Sequence, residues 1–146
     1  MTYLFDTNIL LHLIRGSQQY GDWNEKYDFF KEGNLVLTSI VSAGEIESLA
    51  HQLNWGVAKR QKLSDVLNQT KILQINNKIV SAYARIDAYS QNKLSNNPLP
   101  TGLSARNMGK NDVWLAATAH VGSFTFVTTD HDFDHLSEVY IDLLCL

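Results

Sequence analysis

Short apolar runs that alternate with stretches of helical periodicity are the feature that most restricts how this chain can fold. The runs are Tyr3-Leu4-Phe5, Leu35-Val36-Leu37-Thr38, Ile72-Leu73-Gln74-Ile75 and Phe124-Thr125-Phe126-Val127-Thr128, each bounded by turn or cap formers. Between them apolar residues recur at spacings of three and four: Ile9, Leu10, Leu13, Ile14; Ala43, Ile46, Leu49, Ala50, Leu53; Ile79, Val80, Tyr83, Ile86; Val113, Ala116, Ala117, Val121. Strands alternating with helices predict a parallel sheet covered on both faces, because parallel strands need crossover helices. The expected class is α/β, a three-layer α/β/α arrangement with a central parallel sheet of four to five strands. Val139–Leu144 supplies an edge strand.

Finer expectations follow from caps and breakers. Asp6 or Thr7 caps the first helix, and Ser39 or Ser42 the third. A second helix carries Tyr20, Trp23, Tyr27 and Phe30 and ends at Gly33-Asn34; Gly122 stops the helix before the fourth run. Both prolines fall in residues 92–108, which read as a long surface loop.

With 146 residues there is material for one core, so the expectation is one domain over 1–146. Charged residues are 18% and hydrophobic residues 45%, a balance that excludes a disordered chain. The net charge of −3 removes any global basic field for nucleic acid. Cys145 is the only cysteine, which rules out an intrachain disulfide and any cysteine-rich zinc motif. Asp6 and Asn8 interrupt the apolar start, against a signal peptide, and no apolar run spans a membrane. A cytoplasmic location is expected.

Ligands of open α/β sheets collect beyond the carboxyl ends of the strands. Asp6 follows the first strand there and Asp130 the fourth, while Glu45 and Asp112 sit in the first turns of helices packed near that edge. Taken singly, each has a plain structural use as a cap, a turn residue or a complement to the helix dipole. Converging, four carboxylates repel, so some stay protonated or a cation neutralises them. An all-oxygen set suits Mg²⁺ or Mn²⁺ better than zinc, and such an ion supports phosphodiester hydrolysis.

Four blocks carry a resemblance. Phe5-Asp6-Thr7-Asn8-Ile9-Leu10, Ser42-Ala43-Gly44-Glu45-Ile46, Asn111 to Ala119 and Val127-Thr128-Thr129-Asp130-His131-Asp132-Phe133 occur in that order. Together the blocks resemble the signature of the PIN domain, in particular the small VapC-type ribonuclease toxins of toxin–antitoxin pairs. The resemblance implies a Mg²⁺- or Mn²⁺-dependent endoribonuclease with RNA as substrate, a cognate antitoxin as partner, and a homodimer. Asp6, Glu45, Asp112 and Asp130 match the acidic quartet, with Asp6 and Asp112 holding the main metal. Glu45 and Asp130 then complete a second site or position the attacking water, and cleavage leaves a 5′-phosphate and a 3′-hydroxyl. Asn8 matches a residue supporting Asp6, and Thr128 a hydroxyl at the end of the fourth strand. Asp132 stands close enough to Asp130 to compete for the place of fourth ligand.

Other residues carry weaker signals. Lys93, Arg106 and Lys110 could hold RNA phosphates at the rim of the cleft. His131 and His135, four apart, read as solvated side chains, and His12, His51 and His120 as packing or hydrogen-bonding residues. Lys59, Arg60 and Lys62 read as a wet helix face. The stripe of Tyr20, Trp23, Tyr27 and Phe30 reads as core, with any exposed part, like Trp55, a candidate docking surface. Cys145 has no histidine signal beside it and reads as structural. Two competing functions remain: a PIN-like scaffold that binds RNA or protein without cutting, and an aspartate-based phosphotransfer domain. The second fits poorly, because Asn8 stands where a phosphatase needs a second aspartate and Asn76-Asn77 where a receiver needs an acid.

Overall fold

In the computed structural model, which describes residues 1–146, five parallel strands form one sheet in the order β3-β2-β1-β4-β5. These are β1 (Thr2–Phe5), β2 (Leu35–Ser39), β3 (Lys71–Leu73), β4 (Thr125–Thr128) and β5 (Asp142–Cys145). Tyr3 sits opposite Val36 on one side and Thr125 on the other, so β1 is the central strand. The helices are α1 (Thr7–Arg15), α2 (Gln18–Tyr27), α3 (Ile40–Gln52), α4 (Val57–Gln69), α5 (Asn77–Ser90) and α6 (Lys110–Gly122).

Side chains alternate across a strand, and here the alternation divides two cores. Tyr3, Phe5, Val36 and Val127 join residues of α1, α3 and α4, with Phe29, on one face. Leu4, Leu37 and Phe126 join α5, α6 and the turn carrying Phe133 and Leu136 on the other. Both faces are therefore buried, which is why the strands read as unbroken apolar runs. The expected three-layer α/β/α architecture is observed.

The boundaries differ in instructive ways. β3 covers Lys71–Leu73 and stops short of Ile75, because an edge strand pairs on one side only. α2 ends at Tyr27, where Asp28 takes a left-handed conformation (φ 46°), well before Gly33-Asn34. Phe29 and Phe30 thus leave the helix, and Phe29 packs edge-on against Phe5 with ring centroids 5.0 Å apart. The last strand is Asp142–Cys145, paired in parallel with β4; Val139 and Tyr140 belong to the preceding turn. Of the two serine candidates Ser39 is the cap, accepting from the Val41 N–H at 3.1 Å. Gly122 is the last helical residue and Ser123 the cap; a Cβ on Gly122 would lie 2.0 Å from the Phe124 ring. No regular element interrupts the segment between Ser90 and Lys110, as the sequence predicts. No helix is long and apolar enough to cross a membrane.

Candidate active site

The strand order reverses between β1 and β4: the chain runs outward from β1 through β2 to β3, then resumes on the other side with β4 and β5. At such a switch point the loops after adjacent strands diverge and leave a crevice. Here the crevice has a volume of about 700 Å³, and Asp6, Glu45, Asp112 and Asp130 all line it. Four acids remote in sequence are thus brought to one cleft, whose lining also includes Leu11 of α1, Val41 and Leu49 of α3 and Trp114 of α6.

Asp6 is buried, 4% exposed, and does two jobs at once. Its Oδ1 accepts the Ile9 N–H at 2.8 Å and so caps α1. Its Oδ2 accepts the hydroxyl hydrogen of Thr128. The same Thr128 oxygen accepts the Asp130 N–H at 3.0 Å, so one buried hydroxyl ties the ends of β1 and β4 together. Thr128 therefore stands where the sequence puts a supporting hydroxyl. Asn8 is exposed on the cleft wall and makes no hydrogen bond to Asp6, whose partners are Ile9 and Thr128.

Glu45 lies in the second turn of α3 and not the first, because the helix begins at Ile40. A dipole role is thereby removed, since that effect fades within the first turn. The carboxylate is oriented by Thr7, whose Oγ1 donates to Oε1 at 2.8 Å and lies 3.0 Å from Ser42 Oγ. Sequence reasoning offered Thr7 and Ser42 only as helix caps and missed their place in the site; membership of the blocks holding Asp6 and Glu45 was the signal for it. Thr7→Val is expected to lower kcat about tenfold, the scale of disturbing an orienting partner, while leaving the melting temperature within a few degrees. Equal rates for the variant and the parent protein in single-turnover assays would remove Thr7 from that role.

Asp112 is in the first turn of α6, as expected. A Cβ on the capping Gly109 would approach its Oδ2 to 3.0 Å, so the absent side chain leaves the carboxylate its place. Burial, then the like charges of Asp130, Glu45 and Asp132, push Asp112 up to about 6 from 3.8. Burial is also the main cause for Asp6, likewise raised to about 6, with Asp130 and Asp112 adding to it and the Thr128 and Ile9 hydrogen bonds opposing it. Two carboxylates raised to about 6 mark a site that favours bound protons or a cation. The donor set contains only oxygen, which fits Mg²⁺ or Mn²⁺.

Asp132 does not line the cleft. Its side chain is exposed, and its N–H donates to Asp130 Oδ1 at 2.8 Å, so Asp132 shapes the turn that presents Asp130. The basic residues divide. Lys110 lines a depression shared with Glu45 and Asp112, and Arg106 one shared with Asp132, whose carbonyl its guanidinium contacts at 3.2 Å. Lys93 lines neither; it continues the C-terminal end of α5, its N–H donating to the Ala88 carbonyl.

Several remaining expectations change. His135 is buried and not solvated, with Nε2 2.7 Å from Ser90 Oγ; His131 is exposed. Tyr20 is buried, with Trp23, Tyr27 and Phe30 packed beside it, as a core stripe should be. Trp55 is buried too, with Lys59 4.3 Å above its ring and Arg60 donating to its carbonyl, so Trp55 is not a docking surface, while Lys62 of the same basic run is exposed. His12 and His120 are hydrogen-bonded, to Ser17 and to the Tyr140 carbonyl. Cys145 does have a histidine neighbour: Sγ lies 3.7 Å from His131 Nδ1, a proximity created by the pairing of β5 with β4.

Several solved structures share this architecture. VapBC2 from Rickettsia felis, bound to a DNA fragment from its promoter, is 20% identical with a TM-score of 0.78, covering 99% of this chain and 98% of that one. VapBC-1 from nontypeable Haemophilus influenzae is 17% identical with a TM-score of 0.73, covering 99% and 98%. VapC20 of Mycobacterium tuberculosis, a sarcin–ricin loop cleaving toxin, is 12% identical with a TM-score of 0.59, covering 96% and 97%. No curated protein sequence matches the chain significantly. A family model for the PIN domain matches residues 3–139, and with the topology and the acid-lined switch point described above the chain belongs to the PIN-domain family.

Proposed function

We propose that this protein is a divalent-metal-dependent endoribonuclease and the toxin of a toxin–antitoxin pair. The observation that carries the reading is the meeting of Asp6, Glu45, Asp112 and Asp130 on one cleft, with two of them raised to about 6. A protein that only bound RNA would gain nothing from four carboxylates facing a polyanion. Structural neighbours described as VapBC toxin–antitoxin systems, and one as a sarcin–ricin loop cleaving toxin, support the reaction class and an antitoxin partner. A homodimer is part of the same proposal, as is a cytoplasmic location.

Asp6 and Asp112 are the proposed main ligands of Mg²⁺ or Mn²⁺, with Glu45 and Asp130 completing the set. When bound, the ion supplies charge neutralisation for a phosphoryl oxygen and a lowered pKa for water. The chain's own residues do the positioning. Thr128 fixes Asp6 relative to Asp130, and Thr7 fixes Glu45. Glu45 and Asp130, the acids that Thr7 and Thr128 hold in place, position the attacking water. Lys110 at the mouth, with Arg106 beyond it, meets RNA phosphates. Splayed single strands and loops, which bring a phosphate into a recessed site, are the expected substrate. Incubating the antitoxin-free protein with a pool of structured bacterial RNAs and Mn²⁺ should give discrete cuts bearing 5′-phosphates that vanish with EDTA. Intact RNA after that incubation, with the protein folded, would favour the non-cutting scaffold instead.

A further inference from the structure

Away from the acidic cleft, a second set of metal-ligating side chains meets where the turn after β4 touches the last strand. His131 Nδ1 lies 3.0 Å from Asp134 Oδ2 and 3.7 Å from Cys145 Sγ, and the three donor atoms all fall within 4.8 Å of one another. We propose that His131, Asp134 and Cys145 form a site for Zn²⁺ or a similar borderline-soft divalent ion, separate from the oxygen-only cleft.

Geometry carries the assignment. Zinc binds sulfur at about 2.3 Å and nitrogen or carboxylate oxygen at about 2.0–2.2 Å, which makes the edges of its tetrahedron about 3.3–3.6 Å. The two edges at His131 Nδ1, 3.0 and 3.7 Å, bracket that range, and the Asp134–Cys145 edge lies within 4.8 Å, so side-chain rotation that closes this third edge would seat the ion. One histidine nitrogen addresses both other donors, as a ligand aimed at a common centre does. Donor type separates the two sites: nitrogen and thiolate sulfur select zinc, whereas carboxylates alone suit Mg²⁺ or Mn²⁺. Three protein ligands leave a fourth position for water. His131 and Asp134 are more than half exposed, so an ion has a path in.

Fold position gives the site a consequence. His131 and Asp134 lie in the 3₁₀ turn that Asp130 caps, and Cys145 pairs with Thr128 across the sheet edge. A bound ion would clamp β5 to the turn that presents Asp130 to the cleft.

Cobalt(II) substitution tests this on the full chain. One equivalent of Co²⁺ should produce a thiolate-to-cobalt charge-transfer band and tetrahedral visible bands. The charge-transfer band should vanish in Cys145→Ser, and the affinity for Zn²⁺ in a competition assay should fall by at least about tenfold in His131→Gln. Both signals should persist in Asp112→Asn, which alters only the oxygen cleft. Because the test reads spectra and affinity, its outcome is independent of whether the protein cuts RNA. Cobalt binding without a thiolate band, or a band that survives in Cys145→Ser, would overturn the site. Should Cys145→Ser fail to fold, a stoichiometric zinc-induced rise in melting temperature, lost in His131→Gln, decides in favour; its absence decides against.

Discussion

Asp112→Asn is expected to suppress RNA cleavage by at least about 10²–10³-fold while leaving the protein folded. That is the scale on which loss of one preorganised electrostatic group slows an enzyme. Asp112 is raised by burial and then by three like charges, those of Asp130, Glu45 and Asp132. Asparagine keeps its shape, so packing around Val113 and Leu115 in the same helix is undisturbed. The charge and one ligand oxygen are removed, and with them the repulsion that a cation would otherwise relieve. The fold should therefore be no less stable, and Mn²⁺ should raise the melting temperature of the variant less than that of the parent protein. Cleavage assays beside thermal melts with and without Mn²⁺ read both effects. Undiminished cutting by the variant would remove Asp112 from the reaction.

Asp6→Asn is expected to flatten the pH dependence of stability. Asp6 is raised to about 6 in the folded state from 3.8, so between those values the folded form binds more protons than the unfolded form. Stability from this group is fully present below about pH 4 and is lost as pH rises through about 6. With each unit worth 1.36 kcal/mol, the shift amounts to about 3 kcal/mol. Asparagine does not titrate, and it remains a good helix cap, so the Ile9 N–H keeps its acceptor. Urea melts should show variant and parent alike near pH 4, with the variant gaining by up to about 3 kcal/mol above pH 6. A difference independent of pH would mean that Asp6 is not the buried charge responsible. Divalent ions act the opposite way, stabilising the parent most where its carboxylates are ionised.

Much of the fold was legible because parallel strands buried on both faces leave the plainest pattern a sequence can hold. Tyr3-Leu4-Phe5 and Phe126-Val127 belong to that pattern, and each run supplies side chains to both cores. Edge elements read less well. Lys71–Leu73 and Asp142–Cys145 pair on one side only, so their apolar runs misplace their ends by one to three residues. The second helix ended early because Asp28 adopts a left-handed cap that no apolar period records.

Sequence by itself determined the α/β class, the strand-and-helix order, and that Asp6 and Asp130 follow strands while Asp112 opens a helix, since these are local consequences of periodicity and cap chemistry; Glu45 lies a turn deeper in its helix than that reading placed it. Only the tertiary structure decided what those acids touch. The Thr128 link to Asp6 spans 122 residues of chain, and Thr7 reaches Glu45 across 38. It likewise moved His135 into the core, left Asp132 outside the cleft and set Cys145 beside His131. The physical reason is sheet pairing: strands remote in sequence lie side by side, and their loops meet at one edge in contacts that no local pattern encodes.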